Sequence, residues 1–176
     1  MKKKTTKICM ISSSGGHLKE LNELIEISEQ YETFQITEKD KFSNIKIGTR
    51  QYYVNKIDRD EKNFLFHFFI LFLKIFQIFA VEKPKVIVTT GALVAYPACL
   101  IGKLMRAKVI FIESYARTET LSLTGKLVYR LSDLFIVQWP DLSKNILKLN
   151  TMGNYSDDIN NIRDSKISIQ PTYKKS

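Results

Sequence analysis

The sequence predicts an α/β protein, a Rossmann-like, doubly wound and mostly parallel sheet in one domain. Three observations carry this. Short apolar, β-branched runs alternate with segments of helical spacing along residues 7–142. Two of the expected strands run into glycine turns, at Gly15-Gly16 and at Gly91, and each turn opens onto a helical segment. The 176 residues suffice for one such domain with a proper core and are too few for two. In sheets of this class ligands bind outside the carboxyl ends of the strands, and the chemistry-bearing residues fall at those ends.

Residues 7–13 read as the first strand, apolar enough to be buried on both faces. Ser14-Gly15-Gly16-His17 follows. Glycine lets a backbone approach a ligand with no Cβ in the way, and the N–H groups opening the next helix suit a phosphate. Ser14, Gly15 and Gly16 are therefore candidate anion contacts. His17 can reach whatever the turn holds, and imidazole titrates close enough to neutral pH to serve as a base. The third glycine of the dinucleotide fingerprint is missing. Leu18, Leu21, Leu24, Ile25 and Ser28 share one helical face. Residues 33–37 alternate as a second strand, 39–49 read as loop, 51–57 as a third strand and 58–63 as a charged break.

Residues 64–81, FLFHFFILFLKIFQIFAV, are apolar and Phe-rich apart from a narrow polar stripe of Asn63, His67, Lys74 and Gln77. Three readings stay open. A membrane span needs about 18 or more apolar residues with few charges, and this run lies at that limit. A core helix of a large sheet fold is the second reading. The third is a helix partly buried in the fold and partly lying in a membrane interface, with Phe64, Phe68, Phe69, Phe72 and Phe76 as membrane contacts. His67 then turns its polar tip to water or headgroups.

Pro84 ends that helix. Residues 86–89 form a compact strand leading to Thr90-Gly91, and 93–105 suit a helix packed on a sheet. Residues 108–112 are the next strand and deliver Glu113-Ser114 at its carboxyl end. Thr120 or Ser122 can cap a helix running through Leu131, and 134–137 are one more strand, closed by Gln138-Trp139-Pro140. From 143 to 176 the chain turns polar; a short helix over 142–149 and a solvated tail are expected.

The formal charge is +9, from 27 Lys and Arg against 18 Asp and Glu. Such a balance suits nucleic acid, an anionic membrane surface or phosphorylated ligands. Nucleic acid is disfavoured, because the aromatics gather in one apolar helix and are not interleaved with a basic stripe. Cys9 and Cys99 lie inside apolar segments and read as core residues of a reducing compartment, not as a disulfide or metal site. The apolar run after the basic start is too short for a signal peptide, which places the chain in the cytoplasm.

SSSGGHL near the start, TTGALVAYP in the middle and FIESYARTETLSLTGKLVYRLSDLFIVQWPDL from Phe111 to Leu142 resemble the Alg14-like family, whose bacterial members are polysaccharide biosynthesis proteins of the CpsF, EpsE and PssD type. The resemblance covers residues 7–142 and implies the N-terminal half of a MurG-like GT-B glycosyltransferase. It implies a separate catalytic chain, Alg13-like or CpsG-like, that binds the UDP-sugar donor, so that this half carries no cofactor of its own. It further implies assembly at the cytoplasmic face of the cell membrane, with a hexose passed to a polyprenyl-diphosphate-linked sugar in capsular or exopolysaccharide synthesis. This half would hold the membrane and the acceptor. A non-catalytic scaffold that only recruits its partner is the alternative.

On that resemblance His17 is the candidate base toward the acceptor hydroxyl. Glu113 is the second catalytic candidate, orienting the acceptor or helping to activate its hydroxyl, unless it only pairs with Arg117, four residues on. Arg117 and Lys126 either clamp a diphosphate or are solvated charges. Ser114 is a weaker candidate contact, and capping accounts for Ser122. Thr90 and Gly91 shape the cleft floor, and Trp139 anchors the sheet edge or a partner interface. Family members continue past the position of Leu142 into one more short strand, and the sequence gives no sign of one here.

Overall fold

The computed structural model describes residues 4–39, 45–58, 60–151 and 167–169. Strands β1 (Lys4–Ser12), β2 (Tyr31–Glu38), β3 (Arg50–Val54), β4 (Val86–Gly91), β5 (Lys108–Ile112), β6 (Leu134–Val137) and β7 (Ile167–Ile169) form one sheet. Its order is β3-β2-β1-β4-β5-β6-β7, and every pairing is parallel. The helices are α1 (Gly16–Asn22), α2 (Glu26–Gln30), α3 (Phe64–Glu82), α4 (Ala95–Leu104), α5 (Leu123–Val128) and α6 (Pro140–Thr151). The Rossmann-like prediction holds. Chain order reverses between β1 and β4, which makes that gap the switch point where ligands enter such sheets.

Strand alternation explains the two cores. Cys9 and Ile11 of β1 join Phe34 and Ile36 of β2 and Ile75 and Phe79 of α3 on one face. Ile8 and Met10 join Leu21 and Ile47 on the other. Both faces of β1 are thus covered, as a parallel strand requires.

Several elements differ from the sequence reading; α5, expected to run through Leu131, stops at Val128. The helix expected over 18–28 breaks into α1 and α2. Short turn bonds from Leu24 and Ile25 to Leu21 and Asn22 make the break, and Ile25 faces solvent. The third strand stops at Val54. The polar tail does contribute a strand: Phe135 pairs with Ile167 and Val137 with Ile169 at the sheet edge. Three residues are too few to show a period, which hid β7. The solvated tail expected over 152–166 and 170–176 lies outside the described residues.

Helix α3 divides lengthwise. Leu71, Ile75, Ile78 and Phe79 are buried, and Phe64, Phe68 and Phe72 pack partly against the same core. Leu65, Phe66, Phe69, Leu73, Phe76 and Val81 are exposed, Leu65 to 80%. Of the five phenylalanines expected to meet a membrane, Phe69 and Phe76 lie on this free face, and Phe64, Phe68 and Phe72 turn toward the protein. Among the described residues, α3 alone is long and apolar enough to cross a membrane, with a mean hydropathy of 2.2. At its end the buried Glu82 carboxylate accepts from Lys7 Nζ at 3.0 Å, from Arg50 at 2.9 Å and from the Tyr52 hydroxyl. That ties the apolar helix to β1 and β3.

Candidate functional site

The loops leaving β1 and β4 meet at the switch point. Thr90 Oγ1 donates to the His17 carbonyl at 2.7 Å, and His17 Nδ1 lies 2.9 Å from the Thr90 carbonyl. A carbonyl only accepts, so Nδ1 carries a proton there, and in the neutral ring Nε2 is then the acceptor. The His17 side chain is 32% exposed. Gly91 adopts φ +107, and a Cβ there would lie 3.7 Å from the imidazole, so the floor beneath His17 is backbone. Gly15 adopts φ +80, and open space lies where its Cβ and that of Gly16 would be. The turn is accessible from outside, and α1 opens without a side-chain cap.

Two carboxylates that sequence reading missed organise this rim. Glu20 stands one turn beyond His17. Its Oε1 accepts from Ser114 Oγ at 3.0 Å and from the Tyr115 N–H at 3.2 Å. Its Oε2 is buried without a hydrogen-bond partner among the described residues, 4.0 Å from His17 Nδ1. Glu20 therefore links the loops after β1 and β5. Glu38, at the carboxyl end of β2, accepts from the N–H and hydroxyl of Ser14, both at 3.3 Å. Burial pushes the Glu38 carboxyl above its usual range, against the Ser14 hydrogen bonds. The helical i,i+3 spacing from His17 was the one available signal for Glu20. Glu38 had none, since its partner lies 24 residues away.

Glu113 is a correction. It is 1% exposed, and its carboxylate is used inside the protein. Oε1 accepts from the Ser114 N–H at 3.0 Å, and Oε2 from the Ser122 N–H at 3.0 Å and Ser122 Oγ at 3.1 Å. A Cβ on Gly125 would collide with it. It neither faces a cleft nor pairs with Arg117; it folds residues 114–122 back onto the sheet. Ser122 also accepts from the Gly125 N–H at 2.9 Å, the cap expected of it. Ser114 is spent between Glu113 and Glu20. Arg117 and Lys126 are exposed and pair with no carboxylate among the described residues. Trp139 anchors the same loop: its Nε1 donates to the Tyr115 carbonyl at 2.8 Å, and the two rings lie 4.8 Å apart.

The arrangement sets a partly exposed imidazole over backbone at the switch point, with Nε2 making no hydrogen bond among the described residues; such a nitrogen can take a proton from a hydroxyl. Buried Cys9 and Cys99 supply no nucleophile, because burial pushes both thiols up, Cys99 to about 12.

The sequence model of a family described as "Oligosaccharide biosynthesis protein Alg14 like" matches residues 8–155. The UDP-N-acetylglucosamine transferase subunit ALG14 of Rattus norvegicus is 31% identical over 175 residues, covering 83% of this chain and 81% of the relative. That of Homo sapiens is 30% identical over 177 residues, with the same coverage. Among solved structures, Acinetobacter baumannii MurG superimposes with a TM-score of 0.62 at 15% identity, over 77% of this chain and 42% of MurG. The UDP-GlcNAc 2-epimerase of Methanocaldococcus jannaschii gives 0.67 at 14% identity, over 93% of this chain and 46% of the epimerase. These likenesses concern the fold, and the chain spans less than half of either structure.

Proposed function

Because the chain belongs to the Alg14-like family of oligosaccharide biosynthesis proteins, we propose that it is the acceptor-binding, membrane-associated subunit of a two-chain UDP-sugar glycosyltransferase. It extends a polyprenyl-diphosphate-linked sugar at the cytoplasmic face of the membrane, in capsular or exopolysaccharide synthesis. The donor sits on an Alg13-like or CpsG-like chain that closes the cleft from above.

The observation that carries this reading is the state of His17. Its Nδ1–H is spent on the Thr90 carbonyl, so Nε2 is held as a base where the cleft opens. An acceptor hydroxyl placed against Nε2 loses its proton as it attacks the donor's anomeric carbon, and the nucleoside diphosphate leaves. The exposed apolar face of α3 gives the polyprenyl-linked substrate its membrane. A scaffold without chemistry is the second reading, favoured by Glu113, whose carboxylate is spent inside the fold.

Reconstitution with the catalytic chain tests this, using several UDP-sugars and a polyprenyl-diphosphate-linked sugar. The pair is expected to transfer sugar and each chain alone is not. His17→Ala should lower kcat roughly 100- to 10,000-fold with the complex intact. Undiminished turnover would leave only the scaffold.

A further inference from the structure

We propose that the cavity between α3 and the segment after β3 receives the diphosphate of the lipid-linked acceptor, between the membrane-facing helix and the His17 cleft. This rests on the acceptor-binding reading above and gives that substrate's charged group a place.

The cavity has a volume of about 170 Å³ and is lined by Val54, Lys56, Ile57, His67, Ile70 and Lys74, among others. That is room for several waters or for phosphate groups. Val54 ends β3, so the cavity opens on the same rim as the switch point. Strand β3 itself lies two strand spacings from β1, roughly 10 Å. Two of the four residues of the α3 polar stripe line the cavity. His67 and Lys74 turn toward the cavity, not only to open water.

Both ends of the cavity lead somewhere. On the cleft side, Lys56 and Asp58 act on the charge of Glu38 in opposite directions, and Glu38 holds Ser14 at the glycine turn. On the helix side, Ile70 lines the cavity and is also 43% exposed on the face that carries Leu73 and Phe66. A lipid with its hydrocarbon on that face has its headgroup at this border, where cations and an anionic headgroup attract.

Two lysines and two carboxylates meet at the cavity, and the lysines are the less committed. Lys56 has Asp58 at 3.6 Å, on the surface, and His67 Nδ1 has Glu61 Oε1 at 2.7 Å. Lys74 pairs with no carboxylate among the described residues. An arriving diphosphate thus meets one uncommitted ammonium and a second that it shares with a surface aspartate. The Glu61 carboxylate also lines the cavity, but it is engaged by the His67 ring. Arg117 and Lys126, the cations that sequence reading favoured for the diphosphate, sit on the β5 side of the switch point and do not line this cavity.

Vesicle flotation of the full chain tests the assignment without the partner or the donor, so its failure is separable from failure of the transferase reading. Neutral phosphatidylcholine vesicles are used plain, doped with polyprenyl diphosphate, or doped with phosphatidylglycerol at matched charge. Polyprenyl diphosphate should strengthen binding about tenfold over plain vesicles, and more than phosphatidylglycerol does. Lys74→Glu should bring the doped-to-plain ratio close to one, and soluble inorganic diphosphate should compete. Equal gains from the two dopants would reduce the effect to surface charge and overturn the proposal. So would a full gain in Lys74→Glu, or its loss in Arg117→Glu instead.

Discussion

The carboxylates on the two sides of the β1–β2 end of the sheet are engaged to different degrees, whereas Glu113, at the carboxyl end of β5, is as fully hydrogen-bonded as any at the amino rim. At the amino rim, Glu82 is buried and fully engaged by Lys7, Arg50 and Tyr52. Asp133 there accepts from Lys103, Lys108 and the Val109 N–H. At the carboxyl rim, Glu38 has two long hydrogen bonds from one serine. Glu20 Oε2, Ser12 Oγ and Thr37 Oγ1 are buried with no partner among the described residues. Gln35 Nε2, inside β2, is unpaired among the described residues as well; buried polar groups are normally satisfied, so all four atoms have capacity to spare for water or a ligand. The amino rim is fully paired, and the carboxyl rim combines a paired Glu113 with the incompletely paired Glu20 and Glu38.

The difference is broken most severely at Glu82. Burial pushes its carboxyl up, but the hydrogen bonds from Tyr52, Arg50 and Lys7 outweigh that and hold it below its ordinary 4.5. Glu82→Ala removes the acceptor from three donors and unties α3. A loss of about 3 kcal/mol is expected, read as a lower midpoint in urea unfolding. A loss under a few tenths would mean that the amino rim is not what pins the helix.

Acid should act on the same rim with a smaller effect. Burial raises the Asp133 carboxyl, and the hydrogen bonds from Lys103, Val109 and Lys108 outweigh it, bringing it from 3.8 to about 2. A depressed carboxyl contributes stability above its unfolded value and loses it as pH falls through the folded one. The contribution is therefore complete above about pH 4 and gone near pH 2, about 2 kcal/mol in all. In Asp133→Asn this part of the acid limb should flatten. At the opposite rim, Ser122→Ala removes the α5 cap and one donor to Glu113. It should cost about 1 kcal/mol and speed amide exchange over residues 114–122.

Legibility in the sequence followed the same division. β5 and β6 lie where the apolar runs put them, residue for residue, because a short, almost wholly apolar run between polar breaks announces itself locally. His17 and Thr90 were expected at neighbouring strand ends, and they touch. What stayed hidden depends on partners far apart in the chain. Glu82 meets Lys7 across 75 positions and Glu20 meets Ser114 across 94. Glu113 misled because a carboxylate at a strand's carboxyl end looks the same whether it faces a cleft or folds its own loop. Only the placement of Ser122 and Gly125 decides that.

The mildest substitution tests the contrast most sharply. Glu38 is nearly as buried as Glu82, yet its carboxyl is raised where that of Glu82 is lowered. A raised carboxyl favours the folded state while protonated and withdraws that benefit as pH rises through the folded value. At neutral pH the charge of Glu38 therefore works against folding, and Ser14 offsets only part of the cost. Glu38→Gln keeps an acceptor for Ser14 and removes the charge. Stability at pH 7 should change by no more than about 0.5 kcal/mol or should rise, by urea unfolding beside Glu82→Gln. If Glu38→Gln costs as much as Glu82→Gln, the two rims are alike and the carboxyl rim holds no charge in reserve for a ligand. If it is neutral in stability while the acceptor KM of the reconstituted pair rises, that reserve is what the acceptor uses.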